Sequence, residues 1–499
     1  MGIIARQSIQ NTFISYLGVI LGFVTTILLY PVILSPEQYG LTRVLVSIAT
    51  VGAQFGHLGF KNVTIRYFPY IMDSDRGNHG FLFWVVVIPF FGFLLLWLAY
   101  ALLEPALIQY YVDKSSLFTS YAGYVVPLVL FIIYFEVLNN YVRSLYDSTT
   151  GSFLNEVLLR MLIIGVLVIY AYGWIDFSSF VTLFVTIYAV PPLALLVYLG
   201  FRGELSLVPD FEFLGPKLVR QIANYAVYAL LGGVSTIIVG NIDIIMLASL
   251  AGLSDTGIYA IAFYVGSVIA VPKRSIGKIG APMLARALKE RAMSTVEEIY
   301  RKSSINQIIA GSLLLIGIWA NLDNLFRILP NEYVSGGWVI IVVGLGKLFD
   351  MAAGLNGVII LNSRYYRYDL WTILFLVVFS IAANYLLIPP FGILGAAVAT
   401  AASLIVYNCI KLLIVWYKFG MQPFRLNLIP VVAVAVVTLL IAFQIPKIGR
   451  TSVDILCRSS IMTLLYLGAI YYFKVSDDLN RLIDGVLRRA ALYFQNYFR

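Results

Sequence analysis

A run of about 20 mostly apolar residues is long enough to cross the hydrocarbon core of a bilayer as one helix. This chain of 499 residues holds fourteen such runs, at 11–34, 41–66, 81–103, 119–142, 157–174, 178–200, 222–248, 256–279, 304–328, 335–361, 370–389, 392–416, 427–445 and 455–474. They are continuous rather than alternating, which excludes a closed β-barrel and leaves helices as the spanning structure. With 61% hydrophobic and 12% charged residues, the chain cannot cover its own surface in water. An ordinary soluble enzyme, a nucleic-acid-binding domain and a disordered tail are therefore excluded. The expectation is an all-α polytopic membrane protein with about fourteen transmembrane helices.

Orientation follows from the Lys and Arg in the connections, because basic residues collect on the cytoplasmic side. With a cytoplasmic N-terminus, 27 of the 34 basic residues fall on the cytoplasmic side and six on the far side, with Lys347 in mid-span. The reading is a multi-pass cytoplasmic-membrane protein with both termini inside. The formal net charge of +9 is explained by this asymmetry rather than by a nucleic-acid partner. Residues 1–11 carry one basic residue, Arg6, and lead into the first span, so no cleavable signal is expected. Cys409 and Cys457 lie in different apolar segments and His79 in a polar loop, so neither a disulfide framework nor a metal site is expected. Beyond residue 475, Leu479, Leu482, Ile483, Val486, Leu487, Ala490, Phe494 and Tyr497 share one helical face, the pattern of an amphipathic helix in the membrane interface.

The chain carries a faint internal repeat. Residues 34–61 align without gaps on 251–278, at a shift of 217, with Gly40 on Gly257 and Lys61 on Lys278. Each copy has a polar turn ending in Gly, a hydrophobic span and a basic pair four residues apart. His57 and Lys61 fall on Arg274 and Lys278. Spans one and two thus match spans seven and eight. The repeat predicts two six-helix lobes: an N-lobe at 1–200, a cytoplasmic linker at 201–220 and a C-lobe at 221–417. Spans thirteen and fourteen, at 418–474, are an addition, followed by the amphipathic helix at 475–499. Both lobes should have the same orientation, related by an axis along the membrane normal.

Polar residues inside the spans are the candidates for function, since charge at the bilayer centre is costly. In the second span Arg43, Ser47, Thr50, Gln54, His57 and Lys61 repeat at helical spacing, which predicts one face of one helix lining a water-filled cavity. Asn224 and Asp243 fall near one face of the seventh span. Lys347 and Asp350, three residues apart in the tenth span, are placed to pair. Glu136, Asn140 and Arg143 share a face of span four, and Glu156 and Arg160 form a pair at the edge of span five. The candidate cavity residues are Arg43, Thr50, Gln54, His57, Lys61, Asn224, Asp243, Arg274, Lys278, Lys347 and Asp350. There is no phosphate-binding loop, nucleophile elbow, zinc-protease helix, arginine ladder or potassium-filter motif, so these enzyme and channel classes are not supported.

The stretch at 6–60, RQSIQNTFISYLGVILGFVTTILLYPVILSPEQYGLTRVLVSIATVGAQFGHLGF, resembles bacterial polysaccharide (O-antigen type) flippases of the multidrug/oligosaccharidyl-lipid/polysaccharide exporter superfamily. Asn241-Ile242-Asp243 followed by Leu253 to Tyr259 is similar to that family's Asp…Gly-x-Tyr segment. The stretch from Pro390 to Thr400 is similar to its start of span twelve. The resemblance implies two bundles around a central cavity, alternating access, and transport without an enzyme reaction. The cargo it implies is a polyprenyl-pyrophosphate-linked oligosaccharide, a precursor of polysaccharide or of the lipopolysaccharide O-unit. Arg43, His57, Lys61, Arg274 and Lys278 would meet the anionic pyrophosphate, while Thr50, Gln54 and Asn224 would hydrogen-bond the sugar. A cation-coupled multidrug antiporter and a peptidoglycan-precursor flippase of the same superfamily are the alternatives. No cofactor is expected, although a proton or sodium gradient could drive the cycle. Membrane lipid, and glycan polymerases or glycosyltransferases of the same pathway, are the other partners implied.

Overall fold

Each of the fourteen apolar segments falls on helix in the computed structural model, which describes residues 3–111, 114–211, 213, 215–424, 428–485 and 488. Among the described residues all regular structure is helical. Ten helices are long and apolar enough to cross a membrane, or eleven when a pair bent by 46° in the seventh span counts as one. The others fall short for local reasons. The second span is interrupted, the thirteenth is a helix of 17 residues, and spans eleven and twelve run together as Arg367–Phe419. That last stretch has 53 residues, about 80 Å of helix, far more than a bilayer needs. It turns at Gly392, whose φ of 54° and ψ of −131° suit glycine. Beside the turn, a Cβ on Gly395 would lie 2.0 Å from the Leu387 carbonyl oxygen. Two helices are therefore folded tightly on each other there.

In chain order the helices are α1 (Gln10–Ile33), α2 (Pro36–Gly56), α3 (Phe60–Ile71), α4 (Phe81–Tyr111), α5 (Ser116–Ser144), α6 (Thr149–Ala171), α7 (Phe177–Phe201) and α8 (Pro216–Leu250). They continue with α9 (Leu253–Lys289), α10 (Met293–Ala320), α11 (Leu322–Ile328), α12 (Asn331–Ala352), α13 (Asn356–Leu361), α14 (Arg367–Phe419), α15 (Leu428–Gln444) and α16 (Thr451–Tyr472). By contact the chain divides into one unit of residues 1–260 and another of residues 261–499.

Local chemistry starts the helices where the chain must turn. Ser35 and Gln38 form a reciprocal capping box ahead of Pro36, which opens α2. Asp176 caps α7 through the Ser179 N–H. Asp147, between α5 and α6, accepts from Thr149, Thr150 and Tyr198. Burial pushes its carboxyl up, but the Tyr198 and Thr150 hydrogen bonds outweigh that and bring it down to about 2. Ser294, spaced to Glu297 as in a capping box, does not cap a short surface helix: α10 already begins at Met293 and runs unbroken for 28 residues.

In the first unit α8 packs along α2, fastened at one end by Ser115 Oγ on the Ala248 carbonyl at 2.6 Å. The π turn at Leu154–Leu158 in α6 packs on α1. Arg160 donates there to the Gly18 carbonyl and pairs with Glu156 at 3.3 Å, so this pair ties two spans together rather than standing in solvent. In the second unit α15 and α16 pack on α10 around Val431, Met462, Tyr466 and Ile470. Spans thirteen and fourteen are less apolar than their sequence suggests, because Asp454 and Arg458 are both buried and paired there. Residues 477–485 are helical, with Leu479 against this core. Val486, Leu487, Ala490, Phe494 and Tyr497, read as part of an amphipathic face, lie outside the described residues.

One tight backbone approach in the first unit is reciprocal. A Cβ on Gly40 would lie 2.0 Å from the Leu253 carbonyl oxygen, and one on Gly257 would lie 2.0 Å from the Pro36 carbonyl oxygen. Pro36 and Leu253 are 217 residues apart in sequence, as are Gly40 and Gly257. The contact is thus symmetric under the repeat, and small residues are what let helices approach this closely in a membrane. We predict that Gly40→Ala and Gly257→Ala each destabilise the protein by about 1–3 kcal/mol, the usual cost of overpacking. Thermal unfolding of purified protein should show both shifts, while Gly123→Ala, which faces open space, stays at wild type.

Candidate functional site

The polar stripe of the second span does not lie on one helix. α2 ends at Gly56, His57 caps it, Leu58 and Gly59 take φ of 48° and 77°, and α3 starts at Phe60. The break occurs where α8 crosses, since a Cβ on Gly59 would sit 2.2 Å from the Ala226 carbonyl oxygen. Only glycine supplies both the left-handed backbone and the clearance. Hydrophobic periodicity cannot report this, because Leu58 and Gly59 keep the apolar register through the break.

The break brings the deep end of the stripe onto itself. His57 is fully buried, and its Nδ1 accepts the Gly59 N–H at 3.0 Å. The neutral ring therefore carries its proton on Nε2. Gln54, 3% exposed, meets that nitrogen at 2.8 Å through its amide, whose oxygen is the group that can accept. Glu136 of α5 lies 3.8 Å from the same Nε2 and 3.1 Å from Lys61 Nζ. Asn140, one turn on from Glu136, donates to the Lys61 carbonyl at 3.2 Å. The same end of the Gln54 amide abuts α8, where a Cβ on Gly233 would be 2.7 Å from it. Ser47 is buried, and Thr50, half-buried, bonds to its own helix through the Val46 carbonyl at 2.7 Å. Arg43 is half-buried, with a buried Nε that makes no hydrogen bond.

On α8, Asp243 is buried and accepts from Tyr259 at 3.0 Å. Asn224 is exposed and lines a hollow with Lys217, Arg220 and Gln221. Of the eleven candidate residues, the structure gathers Gln54, His57 and Lys61 into one cluster. Arg43, Thr50, Asn224 and Asp243 belong to the same unit but are not part of that cluster.

The other four candidates belong to the second unit. Arg274 and Lys278 are exposed on α9. Asp350 takes Lys273 at 2.7 Å and the Asn408 amide at 2.9 Å, and Asn408 in turn accepts from Asn356. Lys347, spaced to pair with Asp350, has its ammonium 5.5 Å from the centre of the Phe263 ring. A second pair, buried Lys411 with half-buried Asp369 at 2.6 Å, sits against the Tyr407 ring.

Glu136, Lys273, Asp369 and Lys411 were not among the residues expected at the site. Lys273, Lys411 and Asp369 lie close to span ends, where charge reads as topology. A signal was present for Lys411, which follows Asn408 by three residues within the apolar run at 402–416. In each of these pairs an ammonium satisfies a carboxylate within the unit. The exposed candidates that remain are basic, Arg274 and Lys278, or neutral, Asn224.

Comparison with known proteins places this geometry in context. The profile of a family described as "Polysaccharide biosynthesis protein" matches residues 4–288, more than half of the chain. An uncharacterized membrane protein of Methanocaldococcus jannaschii is 23% identical over 369 residues, covering 69% of this chain and 71% of that protein. The capsular polysaccharide biosynthesis protein CapF of Staphylococcus aureus is 25% identical over 160 residues, 32% of this chain and 40% of CapF. Among solved structures, the lipid II flippase MurJ in an inward closed conformation aligns at a TM-score of 0.69 and 13% identity, covering 94% of this chain and 98% of MurJ. An inward-facing MATE-family multidrug resistance transporter of the MOP superfamily aligns at 0.61 and 15% identity, covering 84% and 98%. A MOP-superfamily transporter from Pyrococcus furiosus, described as having a binding pocket of reverse polarity, aligns at 0.56 and 15%, covering 84% and 95%. These likenesses show the fold.

The buried pairs generate a prediction about stability. Lys411→Met should leave Asp369 unpaired and cost about 3–5 kcal/mol, whereas Lys411→Met combined with Asp369→Leu should recover most of the loss. Thermal unfolding of the purified variants, with membrane abundance alongside, checks it.

Proposed function

The chain belongs to the polysaccharide biosynthesis protein family, and from that premise we propose that it flips a polyprenyl-pyrophosphate-linked oligosaccharide from the cytoplasmic to the outer leaflet by alternating access. The observation that carries this reading is the balance of charge among the polar residues of the spans. Glu136, Asp350 and Asp369 are each engaged by an ammonium, and Asp243 by a phenol. Arg274 and Lys278 are exposed. A site left with surplus cations favours an anionic headgroup, because charge-assisted hydrogen bonds to phosphate are the strong kind and Arg adds bidentate geometry. A multidrug antiporter handles cationic cargo and needs carboxylates free to receive it; here Glu136, Asp243, Asp350 and Asp369 already have partners. The glycan would be held by neutral donors such as Asn224, and the polyprenyl tail would remain in lipid. No bond is broken, so the work is conformational, and a proton or sodium gradient is the proposed drive. The orientation that fits is the one given by the basic residues, with both termini in the cytoplasm. Glycosyltransferases that supply the lipid-linked unit are the partners this reading implies.

A peptidoglycan-precursor lipid presents the same pyrophosphate, so the sugar distinguishes the two substrates. The test is flipping in proteoliposomes of a fluorescent polyprenyl-pyrophosphate oligosaccharide, with lipid II and a cationic dye as parallel cargoes. We expect flipping of the oligosaccharide lipid. We also expect Arg274→Ala/Lys278→Ala to slow it about ten-fold or more, the worth of one charge-assisted contact of roughly 1.5 kcal/mol. Transport of the dye alone, or an unchanged rate in the double variant at normal abundance, would contradict the reading.

A further inference from the structure

The last turns of α4 cover a cavity of about 180 Å³ inside the first unit. Tyr100, Glu104 and Tyr111 line it from α4, at a spacing of four and then seven residues that puts them on one face of the helix. The remaining wall is apolar. It consists of Phe118 from α5 and of aliphatic side chains from α2, α5 and α8, among them Ala122 and Ile245. None of these residues belongs to the cluster around His57.

The hydroxyl groups on this wall are already engaged. Tyr100 donates to Glu104 Oε1 at 3.1 Å, and Tyr111 donates to the Ile245 carbonyl at 3.3 Å. Tyr111 and Phe118 are each 5% exposed, with ring centres 4.6 Å apart, so each fixes the other. What the tyrosines have left to offer a ligand is ring surface. Among the described residues that line the cavity, one is acidic and none is basic. That acid, Glu104, is half-buried. Glu136, Asp350 and Asp369 each hold an ammonium, whereas among the described residues Glu104 holds the Tyr100 phenol instead. A carboxylate beside apolar space and without a base is costly, and a bound cation would relieve that cost.

Size and charge together select the occupant. An apolar cavity of about 150 Å³ takes up benzene, so this one has room for a single substituted ring or a group of similar bulk. An anion would face Glu104. A small inorganic cation would have to shed its water into a space with few polar partners. An organic ammonium avoids both penalties. Its charge meets the carboxylate, the aromatic faces attract it, and its carbon part is buried against the aliphatic wall. We propose that this cavity is a binding site for a small hydrophobic ammonium, with Glu104 as its counter-ion and Tyr100, Tyr111 and Phe118 as its aromatic wall. The site is distinct from Arg274 and Lys278, so a ligand here is bound independently of an anionic cargo. An occupant lies between α2, α4, α5 and α8, and it therefore stabilises the folded unit in proportion to its occupancy.

Three probes of one shape and different charge test this: para-fluorobenzylammonium, para-fluorobenzyl alcohol and para-fluorobenzoate. Each is titrated into the full chain in phosphatidylcholine nanodiscs and followed by fluorine NMR, with empty nanodiscs subtracted for partition into lipid. The expected result is saturable binding of the ammonium, binding of the alcohol weaker by about ten-fold or more, and no binding of the benzoate. Glu104→Gln keeps the shape of the side chain and its contact with Tyr100, and should weaken the ammonium by the same factor. Ala122→Leu fills the cavity and should abolish binding. The ammonium should also raise the thermal unfolding temperature of the wild type, and thermal unfolding without ligand shows that both variants are folded. Alcohol bound as tightly as the ammonium would reduce the site to an apolar cavity and overturn the proposal. So would wild-type affinity in Glu104→Gln or in Ala122→Leu, or no saturable binding beyond that of empty nanodiscs.

Discussion

Hydrocarbon offers no partner to a charge or an open backbone group, and the architecture of this protein follows from satisfying both internally. The backbone is satisfied by helix throughout the described residues. The side chains are satisfied by pairs that cross from one helix to another: Lys61 with Glu136, Lys273 with Asp350, Lys411 with Asp369. Each pair costs desolvation and returns little net stability against an apolar alternative. Their retention is best understood through what they do to the charge of the site. They engage Glu136, Asp350 and Asp369, while Arg274 and Lys278 stay exposed.

Backbone approach is the second consequence. With lipid as apolar as leucine, helices associate by close packing, and glycine permits the closest. The reciprocal contact of Gly40 and Gly257 and the crossing of Gly59 by Ala226 are such places. The latter does more than pack. It breaks the second span, turns His57 inward, and brings buried Gln54 and His57 together with half-buried Glu136 and Lys61 in one cluster. A sequence feature that looked like a continuous stripe is thus a hinge between two helices.

Much of the fold was legible because the physical signal is strong. A run such as 81–103 has one stable solution in a membrane; the alignment of Gly40 with Gly257 was read only as a repeat, and their mutual contact emerges from the fold. The site was less legible. Periodicity placed Gln54 and His57 together correctly, but it could not see Gly59 end a helix, since that requirement arises from α8. Asp350 was expected to pair with Lys347, its neighbour by spacing, and the structure adds Lys273 from another helix. Lys411 and Asp369 read as charges at span ends. Tertiary partners decide such residues, and a one-dimensional pattern carries no information about them. His79 shows the same limit. As one of two histidines it was not expected to form a metal site, and only the fold reveals the two carboxylates beside it.

The account rests on the claim that Glu136, Asp350 and Asp369 are each neutralised by a base within the same unit. An exchange of charge across Lys61 and Glu136 tests this most directly. Lys61→Glu and Glu136→Lys are made singly and together, and the unfolding free energies of the purified proteins are compared. The account predicts that each single variant is destabilised and that the double variant recovers most of the loss, with a coupling of about 1 kcal/mol or more. Additive losses in the double variant would contradict it.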